Sequence, residues 1–205
     1  LPVPLTLVIE TASTACSVAL LDGTELLDER HELVSRGHAE RLVPMIEALL
    51  GDRRPDAIAV DCGPGSFTGV RVGLAAARAL ALAWEVEVSG FSSLALIAAA
   101  GIGGAGPIAV ALPGGHGELF VQRFGGDPLA ALVPLRSLLP TDAAAKIPDD
   151  LVIGAGAAAL VAARGMGKAR EAHPRAADFT LLPFALTQLA PSPLYGRAPD
   201  AKPAS

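Results

Sequence analysis

The residues Gly63-Pro64-Gly65-Ser66-Phe67-Thr68-Gly69-Val70-Arg71-Val72-Gly73 carry most of the chemical suggestion in this chain. They follow the apolar run Ala57 to Val60 and open an alanine-rich helix. A glycine-rich turn between strand and helix aims backbone N–H groups and the positive end of a helix dipole at one spot, an arrangement that holds phosphate in many proteins. No Gly-Lys-Ser/Thr closes the run, so it is not a P-loop, and Gly63, Gly65 and Gly69 lack dinucleotide-fingerprint spacing. Ser66 stands at a sharp turn as a nucleophile would. Pro64 and Thr68, however, occupy the places where a nucleophile elbow needs glycines, and no histidine is evidently paired with the serine. The pattern fits better a tight turn that needs positive φ and close helix packing.

Other groups with chemical potential are scattered. His31, His38, His116 and His173 include no pair at helical ligand spacing. His38 begins a helix and reads as a cap or surface residue; Glu40 and Glu47 read as charges on that helix's solvated face. Cys16 and Cys62 lie in apolar surroundings without metal-like spacing, which predicts reduced core residues. A chain of 205 residues with 51% hydrophobic content has ample material for one large or two small domains. Its formal net charge of −5 opposes strong binding of nucleic acid by this chain alone. Leu1 to Val8 lacks the basic region of a signal peptide, and Arg71, Arg78 and Glu85 interrupt the apolar segment Val70 to Val88, as glycines do the next. The expectation is a cytoplasmic protein with no membrane contact.

The elements that would position these residues follow from periodicity and punctuation. Leu5 to Glu10, Ala15 to Leu21 and Glu25 to Arg30 read as strands, the last two joined by an Asp22-Gly23 hairpin turn. Leu42, Met45, Ile46, Leu49 and Leu50 predict a helix ended by Gly51, with Pro44 either kinking it or near its start. A strand at Ala57 to Asp61, the central helix, a strand at Val86 to Gly90 and a helix from Ser92 or Ser93 to Ala100 complete a βββαβαβα order. A similar order begins again after Gly106: strands at Pro107 to Leu112, Glu118 to Phe124 and Ala131 to Leu135, a helix at Thr141 to Lys146, a strand at Leu151 to Gly154 and a helix at Ala155 to Ala163. A last helix is predicted from Arg175 to Leu189, with an extended tail crossing back over the first half. The expected organisation is 1–103, 104–174 (a reduced second half) and 175–205.

The central helix carries only Arg71 and Arg78 as charges between Gly69 and Trp84. Gly69, Gly73, Ala76, Leu80 and Ala83 form one stripe, and Val70, Leu74, Ala77 and Ala81 another. A helix apolar on two of three sides cannot satisfy both on one sheet. Glycine at position 73 costs about 1 kcal/mol relative to alanine inside a helix, so another backbone is expected to come close there, and that backbone is read as a partner's.

The Gly63 to Gly73 run, preceded by Ile9-Glu10-Thr11-Ala12 and His38-Ala39-Glu40-Arg41-Leu42-Val43-Pro44, resembles the TsaB family from Leu5 to about Ile97. Pro193-Leu194-Tyr195 and Pro199-Asp200-Ala201-Lys202 also resemble that family's ending. The resemblance implies the actin-like ATPase and sugar-kinase fold in two halves. It further implies a non-catalytic subunit for threonylcarbamoyl transfer to an adenosine of tRNAs reading codons that begin with A. Such a subunit binds and activates the catalytic TsaD, together with the ATPase TsaE, or pairs with a second copy of itself when TsaD is absent. His38, Leu42, Met45, Gly69, Arg71, Gly73, Ala76, Ala77 and Leu80 are the expected partner-binding residues. Glu10, Thr11, Gly65 and Ser66 occupy residual nucleotide-site positions, with Glu10 where the family more often has aspartate. Close relatives carry Asp-Ala-Arg before Gly-Glu in the second half; here the stretch is Leu112-Pro113-Gly114-Gly115-His116-Gly117-Glu118. No cofactor is therefore expected on the isolated chain, and ATP and a metal are expected on the partner subunits. A metal-dependent peptidase or a small-molecule kinase of the same fold are the alternatives, opposed by the missing histidine pair and the missing acid.

Overall fold

The computed structural model describes residues 4–34, 36–103 and 106–196. The Pro199 to Lys202 part of the expected ending lies outside them, as does the end of the 175–205 segment.

The first half is built on β1 (Leu5–Glu10), β2 (Ala15–Asp22) and β3 (Glu25–Leu33), an antiparallel meander, with β4 (Ala57–Asp61) and β5 (Glu87–Phe91) added in parallel beside β1. The sheet order is β3-β2-β1-β4-β5. Nearly every residue of β2 and the ends of β1 and β4 are buried, so these strands read as continuous apolar runs covered on both faces. One face carries α1 (His38–Leu50) and α2 (Phe67–Trp84). α1 buries Leu42, Met45, Ile46, Leu49 and Leu50 and ends at Gly51, as its spacing predicts. Pro44 lies inside it on the exposed side, where the carbonyl of Glu40, deprived of its helical donor, faces water.

The second half repeats the plan. β6 (Ile108–Pro113) and β7 (Leu119–Gly125) are antiparallel, and the short β8 (Ala130–Ala131) and β9 (Arg136–Leu138) both pair with β7. Around α4 (Pro140–Lys146) and α5 (Ala157–Arg164), β10 (Leu151–Ile153) and β11 (Lys168–Arg170) run parallel to β6 on its other side. The order β11-β10-β6-β7-β8 is the first sheet's order read from the other edge, so each half has the same topology. This duplication, with smaller elements in the second copy, is the actin-like arrangement. Between the sheets sits α3 (Ser93–Gly101), capped by the Ser92 hydroxyl and buried over most of its length.

Two expectations are corrected, and one strand appears that none foresaw. The strand expected at Ala131 to Leu135 is instead two fragments either side of 132–135, because Pro134 cannot donate to the ladder. The helix from Arg175 to Leu189 does not form: Ala176–Leu181 and Phe184–Leu186 are separate 3₁₀ turns with Pro183 between them. Beyond them Leu189 pairs with Gly90 at the edge of the first sheet. The strand β11 had no sequence signal, since Lys168, Ala169 and Arg170 are all exposed and show no apolar alternation.

Candidate functional site

Gly65 to Val72 of the glycine-rich run form the floor of an open cleft of about 910 Å³ between the halves. Gly63 takes φ 89°, as expected for the turn, and Ser66 caps α2 by accepting from Gly69 N–H at 3.2 Å. The close packing is severe: a Cβ at Gly65 would lie 1.9 Å from Ala12 O, and one at Gly69 would lie 2.1 Å from Thr11 O. The turn is therefore pressed against the exit of β1 with no room for side chains. The second half repeats this contact, with Gly154 and Gly156 pressed on Ala111 at the corresponding place after β10.

Loop N–H groups that a phosphate would need are largely engaged inside the chain. Ser66 N–H donates to Ala12 O at 2.6 Å, Ala12 and Ser13 N–H donate to Glu10 Oε1 at 2.9 and 3.2 Å, and Gly63 N–H donates to Asp61 Oδ1 at 2.7 Å. In the second half, Gly114 N–H donates to Glu118 O at 2.7 Å. Glu10 and Thr11, expected at the nucleotide position, are buried and face inward; the Thr11 hydroxyl donates to Gly69 O at 2.8 Å. Gly65 and Ser66 do line the cleft, but Glu40 is its only carboxylate among the described residues. A metal-bound triphosphate needs carboxylates and free donors converging on one point, and this lining does not fit one. Among the described residues no group of three or more His, Cys, Asp or Glu is placed to hold a metal ion.

Burial dominates the electrostatics beneath the floor. Glu10 is held well above the usual carboxylate range by burial and then by the neighbouring Asp61 charge. Burial pushes Asp61 up to about 7, against the hydrogen bond it accepts from Ser93 Oγ at 2.7 Å. Cys16 and Cys62 are both pushed up to about 11 by burial, which suits core thiols and not nucleophiles.

The residues expected at a partner surface divide into two sets. Leu42, Met45, Gly69, Gly73 and Ala77 are buried in the chain's own core. The backbone that comes close to Gly69 belongs to Thr11, and a Cβ at Gly73 would meet the Thr11 hydroxyl at 2.5 Å, so Gly69 and Gly73 face β1 and not another chain. His38 is half-buried, with Nε2 at 2.9 and 3.1 Å from the Ser13 and Ala15 carbonyl oxygens. Ala76 and Leu80 are half-buried against the core of the first half, and Arg71 is exposed. The outer face of α2 instead carries the exposed apolar residues Ala75, Ala79, Leu82 and Ala83, with Leu82 83% accessible, beside the exposed Arg71 and Arg78. Phe67 at the start of α2 and Val43 on the adjoining α1 are 69% and 62% accessible. By length and composition α2 is apolar enough to cross a membrane, yet its inner side packs on β1 and β4.

Comparison with known proteins gives concordant matches. The family model described as TsaD, tRNA N6-adenosine threonylcarbamoyltransferase, matches residues 31–132. The tRNA threonylcarbamoyladenosine biosynthesis protein TsaB of Escherichia coli (strain K12) is 45% identical over 98 residues, 45% of this chain and 42% of that protein. The match thus spans less than half the length of that relative. An uncharacterized protein of Mycobacterium tuberculosis is 33% identical over 206 residues, covering 96% of this chain and 93% of its own. The solved structure of YeaZ from Pseudomonas aeruginosa is 30% identical, superposes with a TM-score of 0.79, and covers 93% of this chain and 99% of that one.

Proposed function

Because the chain belongs to the TsaB family, also called YeaZ, we propose that it is a non-catalytic subunit of the machinery that makes threonylcarbamoyladenosine in tRNA. It binds a homologous catalytic TsaD chain through the outer face of α2 and the adjoining part of α1, and it works with a TsaE homologue. The observation that carries this reading is the outward apolar patch Ala75, Ala79, Leu82 and Ala83, edged by Arg71 and Arg78, on a helix whose inner face is already filled. Contiguous exposed apolar surface of this kind marks association sites, and two helices from each chain suffice for an interface of about 1,600 Å². The same face serves a second copy of this chain when TsaD is absent.

In this reading ATP and the metal reside on the partner subunits. The cleft here, with one carboxylate and its loop donors already engaged, supports that division. It equally disfavours the kinase and peptidase alternatives. With a net charge of −5, the isolated chain is expected to hold tRNA no better than the ~10⁻⁴ to 10⁻⁶ M of non-specific contacts.

The test is co-purification of Ala79→Arg and Leu82→Arg variants with the TsaD homologue, once circular dichroism shows that both fold. Threonylcarbamoyladenosine content is then measured in cells carrying only the variant. Both variants should lose the partner and most of the modified nucleoside. Folded variants that keep both at wild-type levels would remove this face from consideration.

A further inference from the structure

Arg71 and Arg78, the two charges of α2, are exposed on the stripe that also carries Ala75 and Leu82, and their side chains run along it to another part of the chain. Both reach the C-terminal segment: Arg78 Nη2 donates to Pro191 O at 2.7 Å, and Arg71 Nη2 donates to the Tyr195 hydroxyl at 3.2 Å. The Arg71 guanidinium also lies 3.3 Å above the Phe67 ring and donates from Nη1 to Phe67 O at 3.0 Å, so its position is held from below as well.

The segment that these arginines hold has its own backbone anchors, and they lie in different halves of the molecule. Leu189 and Gly90 exchange hydrogen bonds of 2.7 and 2.9 Å at the edge of β5, and Leu194 N–H donates to Cys62 O at 2.8 Å. Past Tyr195 the chain crosses the cleft, where Ser137 N–H on β9 donates to Gly196 O at 3.0 Å. Gly196 lies so close to the Phe120 ring that a Cβ would sit 2.8 Å from it. Gly90 is equally confined, with a Cβ falling 2.5 Å from Cys62 Sγ and 3.0 Å from the Leu189 and Ala190 carbonyl oxygens. One extended stretch therefore begins on the first sheet, passes α2 and ends on the second.

We propose that residues 187–196 are a strap that ties α2 to the second half across the cleft, with Arg71 and Arg78 as its side-chain fasteners. Cleft width and the position of these two guanidiniums are then linked. A group that docks on α2 and draws either arginine onto a carboxylate of its own slackens the strap at Pro191 or Tyr195, and the release reaches Ser137 and Phe120 through Gly196. The link runs in both directions, as coupling between two places in one molecule must. It does not depend on which protein docks on α2, and it is read in the isolated chain, so its failure and that of the docking face are separate results.

The experiment is amide hydrogen exchange by NMR on the full chain, comparing wild type with the double variant Arg71→Ala, Arg78→Ala. Both side chains are exposed, and neither lies in the core. Loss of the two fasteners should speed exchange about tenfold at Leu189 and Leu194 and also at Ser137, while Leu7 to Ile9 in β1 stay unchanged. Faster exchange at Leu194 with none at Ser137 overturns the strap, since the segment then loosens without the second half responding. Unchanged exchange at all three amides overturns it as well. A second variant, Gly196→Val, pushes on Phe120 from the far end and should speed exchange at Ser137 and Leu194 together; a response confined to Ser137 refutes the link.

Discussion

Glu10 and Asp61 end adjacent parallel strands, and the pairing of Ile9 with Val60 brings the two carboxyls alongside one another beneath the cleft floor. Each fastens its own loop, Glu10 through Ala12 and Ser13 N–H and Asp61 through Gly63 N–H and Ser93 Oγ, while Glu10 Oε2 has no partner. Burial raises both groups, Asp61 to about 7 and Glu10 well above its ordinary value, and Cys16 on β2 is a further acid that feels the Glu10 charge. Carboxyls ordinarily titrate near 4 in an unfolded chain, so folding retains protons that the unfolded chain releases. The stability these groups contribute is full below about pH 4 and is lost as pH rises, for Asp61 through about 7. Glu10→Gln keeps the acceptor for Ala12 and Ser13 and removes the titration. The urea midpoint of wild type should fall from pH 5 to 8 more steeply than that of the variant, and identical slopes would show that Glu10 does not retain its proton. The floor makes a second prediction. Gly65→Ala places a Cβ against the Ala12 backbone and should cost about 1–3 kcal/mol or more. Gly115→Ala, which meets nothing within 4 Å, should stay within about 0.5 kcal/mol of wild type, both read by urea unfolding.

At the scale of elements, α2 shows what a sequence can and cannot disclose. Its two apolar sides and its small residues at 69 and 73 are legible from residue type and spacing. Small residues announce that a backbone comes close, but not whose: Thr11, fifty-eight positions before Gly69, is brought there only by the pairing of β1 with β4. The same limit hid the destination of Arg71 and Arg78, whose partners Tyr195 and Pro191 lie more than a hundred positions away. The expected Arg175 to Leu189 helix fails for a different reason. Phe179, Leu182, Leu186 and Leu189 recur at helical spacing, but Pro183 breaks the run, and the side chains of its 3₁₀ turns still reach the core. These distinctions change which substitution is informative on α2. Gly73→Arg drives a side chain into Thr11 and Val60, and should lower stability by several kcal/mol, losing any partner through unfolding. Ala79→Arg adds a charge to an exposed position and should leave the melting temperature near that of wild type, checked by circular dichroism. Equal destabilisation of the two would mean that the outer face is packed after all.

At the scale of the whole molecule, the repeated topology hides an asymmetry in how the halves are held. α3 belongs by chain order to the first half, yet Leu94, Leu96 and Ile97 are buried in a cluster that contains Val8 and Ala19 of the first sheet and Ile108, Val110, Phe124 and Ile153 of the second. Phe91 joins it and meets the Phe179 ring edge-on at 5.2 Å, so the C-terminal turns close the same cluster. The two sheets therefore share one core, and neither can lose its partner without exposing α3. Two consequences are measurable. Leu96→Ala, at a fully buried position, should cost about 2–5 kcal/mol. Its destabilisation should appear equally in both halves, because a shared core makes unfolding cooperative across them. Trp84 at the end of α2 is the only tryptophan, so its fluorescence follows the first half, while amide exchange in β6 and β7 follows the second. Coincident urea midpoints from the two probes, shifted together by Leu96→Ala, are the expected result. Midpoints that separate, or a variant that weakens β1 and β4 while leaving β6 and β7 as protected as before, would show two independently stable halves joined only at their surfaces.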